Sequence, residues 1–259
     1  MKRKLTLILA LILCFSLVGC GEKKGDISEI KDKGKLVVGI TDFEPMDYKD
    51  DSGNWIGFDA DMATKFAERL GVDVEFVEID WDNKALELDA KTIDCVWNGM
   101  TITEEAQNTM DCSNEYFNNS QVVVVPKEKE KYYTDIEKMN GITFAVEQGS
   151  AGEEQAIEKG LAHTAVKDQA LALQQVASGQ AEAAIVDYLM AAAMTGEGTK
   201  YANLSHTVRL NDEKYGVGFR VGSDLTEELN AFFKECYEDG TMKEIADKYN
   251  IGDSLVEQK

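Results

Sequence analysis

The chain has 259 residues, and its 27 Lys and Arg against 48 Asp and Glu give a formal net charge of −21. A surface this acidic repels phosphate backbones and argues against nucleic acid as a partner. It attracts cations at long range, although salt screens that pull within about 10 Å, and an acidic surface that merely solvates the fold accounts for the composition equally well.

The amino terminus is read first. Lys2, Arg3 and Lys4 precede an apolar run from Leu5 to Val18, which closes on Leu17-Val18-Gly19-Cys20. This is the pattern of a secretory signal, expected over residues 1–19. About 14 apolar residues at ~1.5 Å rise give roughly 21 Å of helix, short of the ~30 Å a permanent span requires. Residues 17–20 resemble a bacterial lipobox, which implies cleavage before Cys20 and lipid attachment to its sulfur, with residues 20–27 as a flexible tether. Processing leaves 240 residues, enough for one large domain or two lobes, and 24 cations against 48 acids, a formal net charge of −24. Three cysteines then remain besides Cys20, namely Cys95, Cys112 and Cys236, without C-x-x-C spacing. No metal or redox site is expected. Buried free thiols are the default, and a Cys95–Cys112 bridge stays open for an exported protein.

Leu36 to Ile40 reads as a strand and Asp59 to Leu70 as a helix, with Met62, Phe66 and Leu70 at helical spacing and Gly71 as its stop. Val72 to Ile79 resumes as strand, Asn83 to Ala90 as helix, and Ile93 to Trp97 as strand. Four valines from Val122 to Val125 lead to Pro126 and a charged loop, Lys127 to Lys131. The pattern restarts with a strand at Gly141 to Val146, helices at Ser150 to Lys159 and Asp168 to Ser178, and a strand at Ala181 to Asp187. It closes with a strand at Tyr215 to Arg220 and helices at Leu225 to Tyr237 and Met242 to Tyr249. Alternating β and α units in two blocks predict an α/β fold of two lobes, each a mainly parallel sheet flanked by helices.

Several motifs in register carry a family resemblance: Gly34 to Gly39, Gly57-Phe58-Asp59-Ala60-Asp61, Ile93-Asp94, Gly99 to Glu105, Asp111-Cys112-Ser113 with Tyr116, Gly149-Ser150, Ser178 to Ala183, and Tyr215-Gly216-Val217. Over roughly residues 34–250 the chain resembles the polar amino-acid-binding proteins of bacterial ABC importers, the solute-binding family 3. The resemblance implies a type II periplasmic-binding-protein-like fold. Lobe 1 would take residues 28–116 and 216–259, lobe 2 residues 121–211, and two hinge crossovers residues 116–121 and 211–215. It also implies a monomeric, non-catalytic clamp on the extracytoplasmic face of the membrane, held by lipid on Cys20, serving permease subunits and using no cofactor.

A free amino acid presents an ammonium, a carboxylate and a side chain, so its site needs an acid, an anion partner and a packing surface. Asp187 ends an apolar strand, where α/β sheets bind ligands, and matches the aspartate that receives the ammonium. Turn chemistry is the plainer role for an Asp there. Phe43 and Trp81 match the two aromatic walls, while Gly99 and Thr101 match backbone and hydroxyl contacts; Asn98 and Asp42 are neighbouring candidates. One departure stands out. The arginine that normally clamps the ligand carboxylate is Ala106 here, and Gln148-Gly149-Ser150, opening a helix, is the candidate substitute anion site. Two ligand classes therefore stay open, an amino acid and a carboxylate-free organic cation or polyamine. A ligand-presenting sensor would use the same clamp. Dehydratase chemistry from Glu44 or Asp187 is a remote alternative, since His163 and His206 lie away from the matched positions and no nucleophile, P-loop or metal motif is present.

Overall fold

The computed structural model describes residues 25–259, so the signal segment and Cys20 lie outside the described residues. The fold opens with α1 (Asp26–Lys33), two residues inside the stretch expected as tether. Ile30 is fully buried and Asp26 pairs with Arg220 at 3.1 Å, which makes Asp26 and Ile27 part of the folded body. Polar flanks hid this anchor in the sequence.

The first lobe continues through β1 (Lys35–Ile40), the short pair β2 (Tyr48–Lys49) and β3 (Trp55–Ile56), and α2 (Phe58–Leu70). Then come β4 (Asp73–Glu78), α3 (Lys84–Asp89), β5 (Cys95–Thr101), α4 (Glu104–Thr109), β6 (Asp111–Cys112) and β7 (Phe117–Asn119). The apolar stripe of α2, Met62, Phe66 and Leu70, faces the core as its spacing predicts. Gly71 ends the helix at φ +77°, a conformation glycine adopts freely.

The second lobe holds β8 (Gln121–Pro126), β9 (Phe144–Glu147), α5 (Ala151–Glu158), β10 (His163–Val166), α6 (Gln169–Ser178), β11 (Ala183–Asp187), α7 (Tyr188–Met194) and β12 (Leu204–Arg209). The chain then returns to the first lobe as β13 (Glu213–Phe219), α8 (Leu225–Glu238) and α9 (Thr241–Lys248). No helix of the described residues is long and apolar enough to cross a membrane.

Both sheets are mixed where mainly parallel ones were expected. The first has the order β4-β1-β5-β13-β6, with β7 also on β13, and the second β10-β9-β11-β8-β12. In each, the βα units pair in parallel, whereas the strand that crosses from the other lobe, β13 or β8, runs antiparallel to its neighbours. A crossing strand enters from the opposite end of the sheet, so its direction is reversed. The four valines of β8 are all buried because helices cover both faces there.

The two crossovers lie side by side. Asn119 pairs with Glu213 across β7 and β13, and two residues after Asn119 the Gln121 carbonyl accepts from Leu210 N–H at 2.8 Å. Cys95 and Cys112 sit on opposite flanks of β13, opposite Phe219 and Gly218. Two strand spacings of ~4.8 Å put them beyond the ~7 Å a disulfide can span, and all three described cysteines are free.

Candidate functional site

Every residue of β11 is buried, and the strand ends on Asp187 at the deep end of a cavity between the lobes. The Asp187 carboxylate accepts from the Tyr215 hydroxyl at 2.7 Å and from the side-chain amides of Asn119 and Gln169. Its own backbone N–H donates to Gln169 Oε1 at 2.8 Å. Burial first, then the nearby Glu213 charge, push its carboxyl up to about 8. Glu213 is bonded from both lobes: Thr101 Oγ1 (2.9 Å), Asn119 Nδ2 (2.6 Å), Gln121 Nε2 (2.8 Å) and Asn211 Nδ2 (2.8 Å) all donate to it. The deep end of the cleft is thus a continuous polar network strung across the two crossovers.

Phe43 and Trp81 wall the cavity from the first lobe. Phe43 packs edge-on against Tyr215 with ring centroids 6.2 Å apart. Gly99 beside it has φ +55°, and a Cβ there would stand 2.6 Å from the Phe43 ring, so glycine is required. Trp81 lies in a short 3₁₀ turn that runs into α3, and three residues on, Lys84 places its ammonium 5.2 Å from the Trp81 ring centroid.

The lobes meet at the mouth. Lys84 Nζ donates to the Gly149 carbonyl (2.9 Å), and Gln148 Nε2 donates to Asp82 Oδ2 (3.0 Å). A Cβ on Gly149, at φ +69°, would fall 2.6 Å from the Asp82 Cα, so the two backbones approach as closely as only glycine permits.

Of the nine residues singled out from sequence, Asp187, Trp81, Phe43, Gly99, Thr101, Ser150 and Asn98 line this cavity, and Asp42 and Gln148 do not. Asp42 is exposed on the loop before Phe43, and Gln148 is spent on Asp82 at the rim. The Asn98 amide is wholly engaged inside lobe 1, with Thr41 and with Asp47 Oδ2 at 2.7 Å. The Gly99 N–H donates to Asp59 Oδ2 at 2.6 Å. The start of α5 caps itself: Ser150 Oγ accepts from Glu153 N (3.2 Å), and Glu153 Oε2 accepts from Gly149 N (2.7 Å). That capping box fills the helix terminus with a carboxylate of its own and weakens it as an anion site.

Sequence reading missed Lys84, Glu147 and Glu154, which line the cavity as well. Lys84 is the one Lys or Arg among the described lining residues, against the carboxyls of Asp82, Glu105, Glu147, Glu154 and Asp187. Burial pulls its ammonium below the usual lysine range, opposed by Glu105, Glu147, Asp82 and Glu154. The signal was present: with arginine absent at Ala106, a cation three residues from Trp81 shares its helical face. Ala106 itself forms part of the cavity wall. Among the described residues no group of three His, Cys, Asp or Glu side chains is placed to hold a metal ion.

The profile of the bacterial extracellular solute-binding proteins, family 3, matches residues 36–252. The arginine-binding extracellular protein of Bacillus subtilis is 26% identical over 98% of this chain and 100% of its own length. The fold is similar to that of an ABC uptake transporter substrate-binding protein from Streptococcus pneumoniae with bound histidine, at TM-score 0.81 and 27% identity, covering 90% of this chain and 99% of that one. It is also similar to an ancestral amino-acid-binding protein, a precursor of cyclohexadienyl dehydratase, at TM-score 0.78 and 32% identity, covering 86% of this chain and 98% of that one.

Proposed function

The chain belongs to the bacterial extracellular solute-binding proteins, family 3, and from that premise we propose that it captures an amino acid between its lobes and delivers it to the permease of an ABC importer. The observation that carries this reading is the cavity between the lobes, with an acid at a strand end, two aromatic walls and a half-buried lysine. In this reading Asp187 receives the α-ammonium, Trp81 and Phe43 flank the ligand, and Lys84 holds the α-carboxylate in place of the missing arginine. A lysine binds a carboxylate as a point charge, without the bidentate fork. Ser150 contributes at the cavity wall, while Asp42, Gln148 and Asn98 are set aside as ligand contacts.

The ligand contacts both lobes only when they are together, so binding shifts the population toward closure about residues 116–121 and 211–215. Anchoring by lipid on Cys20, residence on the extracytoplasmic face and a monomeric state belong to the same proposal and rest on the amino-terminal pattern and the family. Catalysis is not proposed: the cavity's acids are engaged in hydrogen bonds or lack a proton-relay partner such as histidine.

The second reading, a carboxylate-free organic cation, is favoured by one observation, the five carboxyls that face a single ammonium. A thermal-shift screen of the refolded protein against the twenty amino acids, putrescine, spermidine and choline separates the two. Ligand at ~100 times its dissociation constant adds ~2.7 kcal/mol, a readily measured rise in midpoint. Stabilisation by amino acids supports the proposal; stabilisation by the carboxylate-free cations alone overturns it.

A further inference from the structure

Glu147 ends β9 as Asp187 ends β11 in the same sheet, and both side chains reach the cavity. The two carboxyls differ in what they have left to offer. A carboxylate has about four lone-pair sites, and three of those on Asp187 are taken by Asn119, Tyr215 and Gln169. Glu147 is 2% exposed, and its Oε1 is fully buried with no hydrogen-bond partner among the described residues. None of those residues' cations forms an ion pair with it: Lys84, in the same cavity, is bonded instead to the carbonyls of Gly149 and Trp81. Burial first, then the negative charges of Asp187 and Asp168, raise its carboxyl to about 8, against the Gln169 and Thr41 side chains, whose hydrogen bonding to the carboxyl lowers it and leaves Oε1 unfilled. Buried polar atoms are almost always satisfied, and one left open at a ligand cavity, facing a surplus of negative charge, is built to be completed from outside.

We propose that Glu147 is a ligand-contacting, specificity-determining residue whose open Oε1 accepts from a second cationic centre, so that the cleft takes amino acids with a guanidinium, ammonium or imidazolium side chain. This rests on the amino-acid reading above. Asp187 keeps one acceptor site for the α-ammonium, Lys84 takes the carboxylate, and Glu147 reads the side chain. A neutral amino acid satisfies the first two and leaves Glu147 unpaired.

The test is titration calorimetry of the processed chain and its E147Q variant with matched ligands: arginine against citrulline, lysine against norleucine, and agmatine, which is arginine without its carboxylate. The expected result is that at least one charged ligand binds wild type ~10-fold or more tightly than its neutral match, as charge-assisted hydrogen bonds outweigh neutral ones. E147Q should then bring that ratio to within about 2-fold. Equal affinity for charged and neutral ligands in wild type, an unchanged ratio in E147Q, or no binding of any charged amino acid each overturns the proposal. The wild-type ratio decides even if E147Q folds poorly. Agmatine binding as tightly as arginine instead overturns the amino-acid reading, while the citrulline comparison still judges Glu147.

Discussion

The two ends of the cleft are built on different principles. At the deep end, Asp187, Asn119, Glu213, Gln121 and Tyr215 are joined by buried hydrogen bonds across crossovers adjacent in the fold. At the mouth, Lys84, Asp82, Gln148 and Gly149 meet across a gap that no backbone pairing bridges. In the proposed clamp, the deep contacts sit beside the crossovers and persist through opening, whereas the mouth contacts are made only on closure. On that reading stability is concentrated at one end and ligand-dependent closure at the other, and each can be perturbed without the other.

The largest effect is expected from K84M. Removing the one cationic partner of a buried carboxylate costs ~2–5 kcal/mol, which by calorimetry is a fall in amino-acid affinity of about 30-fold or more. The unfolding midpoint of the ligand-free protein should hardly move or should rise, because burial already works against the Lys84 charge. A midpoint that collapsed with affinity would place Lys84 among the framework residues.

Next comes G149A. Its Cβ would stand 2.6 Å from the Asp82 Cα, so the mouth cannot shut while the deep network is untouched. We expect an affinity loss of about 10-fold, since ~1–3 kcal/mol is typical of such strain. Small-angle scattering should show the variant remaining expanded on addition of ligand, where wild type contracts.

The pH response separates the ends differently. Burial raises the carboxyls of Asp187 and Glu147 to about 8 and that of Asp59, within lobe 1, to about 7. A carboxyl with a folded pKa above its unfolded value of ~4 stabilises the fold when protonated, fully below pH ~4, and loses that contribution as pH rises through 7 and 8. The ligand-free midpoint should therefore fall between pH 5 and 8. Affinity for a cationic ligand should rise over pH 6 to 8, because the ionised carboxylates are its acceptors. A midpoint that climbed over this range would contradict the protonated, buried state of these acids.

The smallest effect is expected from Q148A. It removes one exposed rim hydrogen bond to Asp82, worth about 0.5–1 kcal/mol, so affinity should fall by no more than about fivefold and the ligand-free midpoint should stay put.

Two residues of the deep end were legible in the sequence. An apolar run that closes on Asp187 and Tyr215 opening a return strand are local signals, and the motif register tied them together, while Asn119, Gln121 and Glu213 meet only once the crossovers lie side by side. The mouth was not, because it depends on contacts between distant segments. Lys84 sits in a polar stretch where a lysine is ordinarily solvated, and only the fold lays it beneath Gly149. Glu147 read as the last residue of a strand, and its open oxygen becomes visible only when its neighbours' hydrogen bonds are assigned. Antiparallel β12 and helix α7 were missed for related reasons. The first is a half-buried edge strand without a clean alternation, and the second, from Tyr188 to Met194, is apolar on most sides and carries no period.

The entry of the chain has a mechanical consequence. Asp26 is clamped by Arg220 and Ile27 N–H is held by Asp224 at 3.0 Å, both just past the end of β13. Glu213, at the other end of that strand, marks the crossovers, and six residues of strand separate the two by about 20 Å. A load applied at Gly25 would therefore enter lobe 1 at the pole remote from the crossovers. If the amino terminus is the leash, the fixed jaw bears the tension.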